Sequence, residues 1–496
     1  MSEMAKMAQK RSLYPMWTVI ALFLMFGFGL IFPNGWAMVT PLGAKILGVF
    51  VGALIMTIFT NQTFWPALLA LFAMVFHGYL TSAGAMTGWL GSNTVVQFIF
   101  LMALCGALSD SGAPIVIARH MINSKIAKGR PLVFIFIYFM AVVVVGALLS
   151  TGTATILLMF PIWDGIRQAA GYKKEDPLCK LMLLGTYLGA VGAYILPFKG
   201  VHLATISIVQ GIMENYGLQF DGGAYFISTT AVTIGFFAVY TLFIGFVFRC
   251  DLKPLQSFDV ATMEGMDQNG MKFNKRQLIL LAALGVGVLY ILSSFFIPET
   301  VSWYSVYNGI GSTWVWIGIV AVLCLVHING KPFLDGPKVL KDHTMWTIVC
   351  LIGAFSLLGG AISSDDLGIK AWIGSLLEPL LGEAAWPILV VTAVVIATIS
   401  TNFMNGMPVS FALSTVMMPF ACTLQLDTGI NGTVLGAAII FCGQIAFMTY
   451  GAMVYAALLL DREEIDQKFI WTRGSITVGI YIAVASIFFT LFGYIL

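Results

Sequence analysis

The sequence predicts an all-α polytopic membrane protein made of two inverted repeats, with about eleven transmembrane helices, two re-entrant hairpins and broken helices at its centre. Three observations carry this expectation. Hydrophobic residues make up 59% of the 496-residue chain and charged residues only 10%, at a mean hydropathy of +0.93. Two stretches, 131–162 and 384–422, run for 32 and 39 residues without a charged side chain, far beyond the ~20 residues of one crossing. The order of elements around the first stretch also recurs around the second. The net charge of +2 gives no basis for a nucleic-acid partner. The seven cysteines stand singly with no CxxC pair, so neither a disulfide framework nor a zinc site is indicated.

The N-terminal segment, 1–42, carries Lys6, Lys10 and Arg11 ahead of an apolar run. That run is long for a signal-peptide core and reads as an uncleaved first span near 16–32. Repeat one, 43–248, opens with spans near 43–60, 64–80 and 92–109. The basic residues Arg119, Lys125, Lys128 and Arg130 precede the charge-free stretch 131–162, and Arg167, Lys173, Lys174 and Lys180 follow it. Basic residues mark the cytoplasmic side, so this stretch enters and leaves on one face as a hairpin. Its tip is Ser150, Thr151, Gly152 and Thr153. A broken helix, 178–213, is interrupted by Pro197-Phe198-Lys199-Gly200, and a span at 225–248 completes the repeat. Asp110, Asp164 and His77 fall at span ends, where plain solvation is expected.

A cytoplasmic linker, 249–276, holds Arg249, Lys253, Lys272, Lys275 and Arg276. Repeat two, 277–496, has spans near 277–297, 313–328 and 344–363, then the hairpin 384–422. Its tip spans Ser400 to Pro408 and includes Asn402, Asn405 and Gly406. The broken helix 432–460 is interrupted around Thr449-Tyr450-Gly451, and the last span is 475–496. The count places the N-terminus in the cytoplasm and the C-terminus outside. The linker separates six early crossings from five late ones, so the repeats enter from opposite faces. Gly106-Ala107-Leu108-Ser109-Asp110-Ser111 echoes Gly360-Ala361-Ile362-Ser363-Ser364-Asp365.

Four interruptions at mid-membrane define the candidate site. A half-helix that begins there offers free N–H groups and a positive dipole end, which suit an anion. Ser150, Thr151 and Thr153 are good caps for the second arm of the first hairpin. Pro408 suits the first helical position of the second, with Asn402 and Asn405 supplying amides. Hydroxyls, amides and free carbonyls at the breaks also suit a small hard cation. Lys199 and His202 stand at a costly depth for charge, where such residues are functional by default. Each signal has a plainer reading, since Ser and Thr in membrane helices commonly bond their own backbone.

The arrangement resembles the divalent anion/sodium symporter family, dicarboxylate transporters of the wider ion-transporter superfamily. The likeness runs from about residue 43 through most of the chain. STGTATILLMFP, beginning at Ser150, is similar to that family's first tip motif, and STNFMNGMPVSFALSTVMMP, beginning at Ser400, to its second. FMTYGAMVY (447–455) and LPFKGVH (196–202) stand where the relatives place a Thr-Pro-Pro-Asn-like turn, and neither preserves it.

The resemblance implies a homodimeric transporter of small carboxylate anions in a bacterial cell (inner) membrane, moving its hairpins and broken spans like an elevator against a fixed scaffold formed by the first three spans and 277–363. The substrate-binding residues expected are Ser150, Thr151, Gly152, Thr153, Lys199, Asn402, Asn405, Gly406, Pro408 and Thr449. A coupling sodium would use Ser150, Thr151, Asn405, Thr449 and Gly451, and no other cofactor is expected. The alternatives are an ion-coupled antiporter for an inorganic anion or protons and, from another class, an anion channel. No HExxH, GxSxG or GxxxxGKS/T string marks an enzyme.

Overall fold

The computed structural model describes residues 3–60, 62–149, 151–192, 195–196, 202–257, 272–293, 301–328, 330–381, 385–450, 452–453 and 455–496. Ser150, Lys199, Gly451 and much of the linker therefore lie outside the described residues. The fold is an all-α polytopic membrane protein. Among the described residues, eight helices are long and apolar enough to cross a bilayer.

Repeat one begins after α1 (Glu3–Ile31), with α2 (Pro41–Thr60) and α3 (Phe64–Phe76). The third predicted span stops a turn early. Gly78 takes φ +74°, and the N–H of Tyr79 closes back on Met74 O at 3.1 Å, a glycine-terminated helix end. Helices α4 (Ser82–Trp89), α5 (Asn93–Asp110) and α6 (Ala113–Ile122) follow. The first hairpin has arms α7 (Pro131–Leu148) and α8 (Gly152–Ala170). The broken span is α9 (Pro177–Val191) and α10 (His202–Asn215), and α11 (Gly222–Leu242) runs on through a wider turn to residue 247.

A short helix, α12 (Lys253–Ser257), begins the linker. Repeat two starts with α13 (Lys275–Ser293) and α14 (Tyr304–Leu325), which kinks at Gly311. A two-stranded turn, β1 (His327–Ile328) with β2 (Lys331–Pro332), leads to α15 (Gly336–His343) and α16 (Trp346–Ser363). Helix α17 (Ile369–Leu381) occupies what the sequence presents as a loop. The second hairpin is α18 (Trp386–Thr401) and α19 (Gly406–Thr428). The second broken span is α20 (Thr433–Cys442) and α21 (Ala456–Leu460); α22 (Gln467–Phe469) then leads to α23 (Ser475–Ile495).

The halves repeat one packing pattern. Both arms of the first hairpin pack on α9, and α11 covers α7; both arms of the second pack on α20, and α23 covers α18. The halves then mesh, with α10 against α19 and α20, and α11 against α20 and α23. Helix α16 joins this unit to α2 and α3 through its broad contact with α10.

Buried tyrosines stitch the first unit together: Tyr138 Oη donates to Met159 O at 3.1 Å, and Tyr240 Oη to Leu181 O at 2.8 Å. Such bonds join arms where no water is available to satisfy a carbonyl. The three interfacial residues are also paired rather than merely solvated. Asp110 lies 3.0 Å from His343 Nε2, and His77 Nε2 donates to Met25 O at 2.8 Å. Arg462 Nη2 donates to both carboxylate oxygens of Asp164, at 2.7 and 2.9 Å.

Candidate functional site

Each hairpin tip ends in a capped half-helix. Thr151 is extended (φ −139°, ψ 149°), and its hydroxyl accepts from Ala154 N at 3.2 Å, capping α8. Gly152 is buried and Thr153 half-buried. At the second tip Asn405 caps α19, its Oδ1 accepting from Met407 N at 3.1 Å. This corrects the sequence expectation for Pro408. It is the third residue of the helix rather than the first, a place where a missing N–H still costs no ladder bond.

Asn402 carries the second tip. Its side chain is 1% exposed, and its amide is fully engaged. Nδ2 donates to Thr398 O at 2.8 Å and to Ile445 O at 2.7 Å. Oδ1 accepts from the N–H groups of Phe447 and Met448, both at 3.1 Å. Its backbone carbonyl takes the Thr449 hydroxyl at 2.8 Å. One side chain thus satisfies the unravelled backbone at 445–448, which lies outside any helix. Its role in this conformation is to hold the tip on the broken span.

Two neighbours finish the joint. Thr401 Oγ1 donates to Gly443 O at 2.7 Å, and Tyr187 Oη, from α9 of repeat one, to Ala446 O at 2.6 Å. The backbones approach so closely that a Cβ on Gly406 would lie 1.8 Å from Gly443 O, and one on Gly443 2.0 Å from Ser410 Oγ. The C-terminal end of α20, with its spare carbonyls, therefore meets the N-terminal end of α19, with its spare N–H groups.

The structure thus brings together Asn402, Asn405, Gly406 and Thr449. It also adds Thr401, Gly443, Tyr187 and Gln444, which the sequence reading passed over. Among the described residues, no hydrogen bond links Thr151, Gly152 or Thr153 to the second tip. A cavity of about 400 Å³ reaches Met448, Thr449 and Tyr450 from the side of Asp466 and Gln467. No group of three or more His, Cys, Asp and Glu residues gathers among the described residues. A cation at the second break would therefore rest on hydroxyl, amide and carbonyl oxygens.

A family model for citrate transporters, CitMHS, matches residues 51–442. The chain belongs to this citrate transporter family. The matched segment runs from α2 to the last residue of α20, so it takes in both hairpins and the described first broken span. The likeness to ion-transporter relatives read from the hairpins is thereby borne out, and the chain is an integral membrane protein of a transporter family. Among solved structures, the Alcanivorax borkumensis YdaH transporter, described as having an unusual topology, is similar at 13% identity. The likeness covers 85% of this chain and 88% of that one, with a TM-score of 0.52, and it concerns the fold. No curated protein matches the chain.

Proposed function

We propose that this member of the citrate transporter family is a secondary active transporter of di- and tricarboxylates, citrate foremost, working by elevator-type alternating access. The observation that carries the reading is the joint at the second tip. A buried half-helix start, capped by Asn405, is held by Asn402 against an unravelled span. Free N–H groups at such a start favour carboxylates. Thr151 and the start of α8 supply the corresponding end in repeat one, with Gly152 and Thr153 beside it.

The transport mode is either cation-coupled symport, with sodium on the oxygens of Thr449 and its neighbours, or anion exchange. Lys199 bears on the choice, because an ammonium in the first break would balance substrate charge without sodium. The protein is expected to act as a homodimer in the cell membrane, N-terminus inside. Uptake of labelled citrate and succinate into proteoliposomes, with and without sodium or internal substrate, tests the reading. Saturable accumulation of either anion is expected. Conduction without saturation would favour a channel, and no uptake of any carboxylate would remove the proposal. Under exchange, Lys199→Met abolishes sodium-independent transport. Strong sodium dependence of the wild type would discard the built-in cation.

A further inference from the structure

Gln444 lies in the interruption of the second broken span, two residues past the family match. Its chain neighbours are both pinned to the second hairpin: Gly443 O takes the Thr401 hydroxyl, and Ile445 O takes Asn402 Nδ2, each at 2.7 Å. The Gln444 side chain is 1% exposed, yet neither Nε2 nor Oε1 has a hydrogen-bond partner among the described residues. Asn402, bearing the same group at the same burial a short distance away, makes four bonds. Buried polar groups are nearly always paired, and one left unpaired is costly. A glutamine with both ends orphaned, in a helix break bonded to a hairpin tip, points to a partner that arrives from outside the chain.

The chemistry of the amide narrows that partner. It offers two N–H donors and one carbonyl acceptor. A carboxylate only accepts, so it would satisfy Nε2 while confronting Oε1 with another lone pair. Both ends are met by a molecule that carries an O–H beside a carboxylate. We propose that Gln444 reads the hydroxyl of a hydroxy-polycarboxylate substrate, Nε2 donating to a carboxylate and Oε1 accepting from the hydroxyl. This rests on the transport reading above and adds to it the residue that would tell a hydroxy acid from the analogue lacking the hydroxyl. The group is occluded in this conformation, so the tip must separate from the break for the substrate to reach it.

The test is binding of citrate and of tricarballylate, which has the same three carboxylates without the hydroxyl, to the purified full-length protein. The wild type should prefer citrate by at least about tenfold, since a site built to hydrogen-bond a hydroxyl rejects the analogue lacking it. Gln444→Met, close in size, should bind both anions alike, with citrate weakened to the tricarballylate level. Its melting temperature should be unchanged or raised, because an orphaned polar group is removed. Equal wild-type affinity for the two anions would overturn the inference and leave the transport reading standing. So would full citrate preference in Gln444→Met, the result expected if a trapped water or a cation satisfies the amide. Equal wild-type affinity overturns the inference even if Gln444→Met fails to fold, and Gln444→Asn, which keeps the amide on a shorter stem, should then lose the citrate preference in its place. Binding of neither anion would remove the transport reading itself.

Discussion

At the scale of residues, Asn402 and Asn405 are three positions apart and do different work. Asn402 is a structural clamp whose side-chain partners are all backbone groups, three of them in the unravelled stretch 445–448. Asn402→Leu leaves two N–H groups and two carbonyls short, at about 1–3 kcal/mol for each group left unsatisfied. The expected result is a large drop in melting temperature together with loss of transport, read by thermal unfolding and uptake on the same preparation. Asn405 is a half-buried cap with one bond of its own. Asn405→Ser keeps a capping oxygen, so its stability should stay within about 1 kcal/mol of wild type. If the Asn405 amide also meets substrate, affinity still falls by roughly tenfold or more. Unchanged affinity in that variant would make Asn405 a cap and nothing further.

At the scale of elements, the joint between hairpin and broken span depends on two glycines meeting. Gly406→Ala places a methyl group against Gly443 O and must lift the tip, at about 1–3 kcal/mol for the overpacking. Gly360→Ala, whose added Cβ meets nothing within 4 Å, should be nearly silent. A tip-specific loss of transport in Gly406→Ala beside an active Gly360→Ala is the expected pair, and equal behaviour of the two would contradict the close approach.

A second joint lies at the polar end of the same unit. Lys174 pairs with Glu463 at 2.7 Å, and Lys180 pairs with Asp466. The Lys174 hydrogen bond holds the Glu463 carboxyl below its ordinary value. Lys180, then the Phe469 N–H, do the same for Asp466. A depressed carboxylate contributes stability above its unfolded pKa and loses it as pH falls through the folded value. Melting temperature should therefore be flat from about pH 5 to 8 and decline below about pH 4. The decline should be modest, since the carboxylates are largely exposed and screened. Lys180→Met should shrink it. A Lys180→Met profile that overlays the wild type would show that the pair plays no part.

These elements were legible from hydropathy and charge flanks, because a bilayer demands long apolar helices and makes interruptions conspicuous. The pairs 131–162 and 384–422 resolve into hairpins on that ground alone. The extra helices α15 and α17 were not legible, since α15 is short and polar and the apolar run of α17 is interrupted by Lys370 and Glu378. The site was half legible. Thr151, Asn402 and Asn405 stand out as polar residues at tips, but the partners of Asn402 lie 43 to 46 residues onward in the chain. No local pattern announces such a contact. Gln444 did leave a signal, a lone amide beside a glycine within the apolar run 432–460. Its meaning appeared only with the pairing of everything around it.

At the scale of the whole molecule, the question is whether the hairpins and broken spans move as a body past a scaffold. Under the elevator reading, the contact between α10 and α16 is a surface along which such motion would occur. Helix α10 belongs to the first broken span and α16 to the expected scaffold, and the two make an extensive contact. Few side-chain bonds cross between them: Asn215 Nδ2 donates to Gly360 O at 3.1 Å, and Ser356 Oγ reaches Ser207 O at 3.5 Å. A face of small residues with sparse hydrogen bonding suits sliding, because little has to be broken at each step. A crosslink there is the direct test. A Cβ on Gly359 would lie 3.3 Å from the Ile208 Cβ, a few tenths of an ångström short of the ~3.5–4.5 Å span of a disulfide, so a slight parting of the helices seats the bond. The Ile208 methyl that it would otherwise strike disappears in Ile208→Cys. The double variant Ile208→Cys, Gly359→Cys, in a background cleared of the seven native cysteines, should crosslink on oxidation. Under the elevator reading it then stops transport, recovers on reduction, and still binds substrate while locked. Undiminished uptake by the fully crosslinked protein would mean that α10 does not travel past α16, and the elevator assignment would have to be given up.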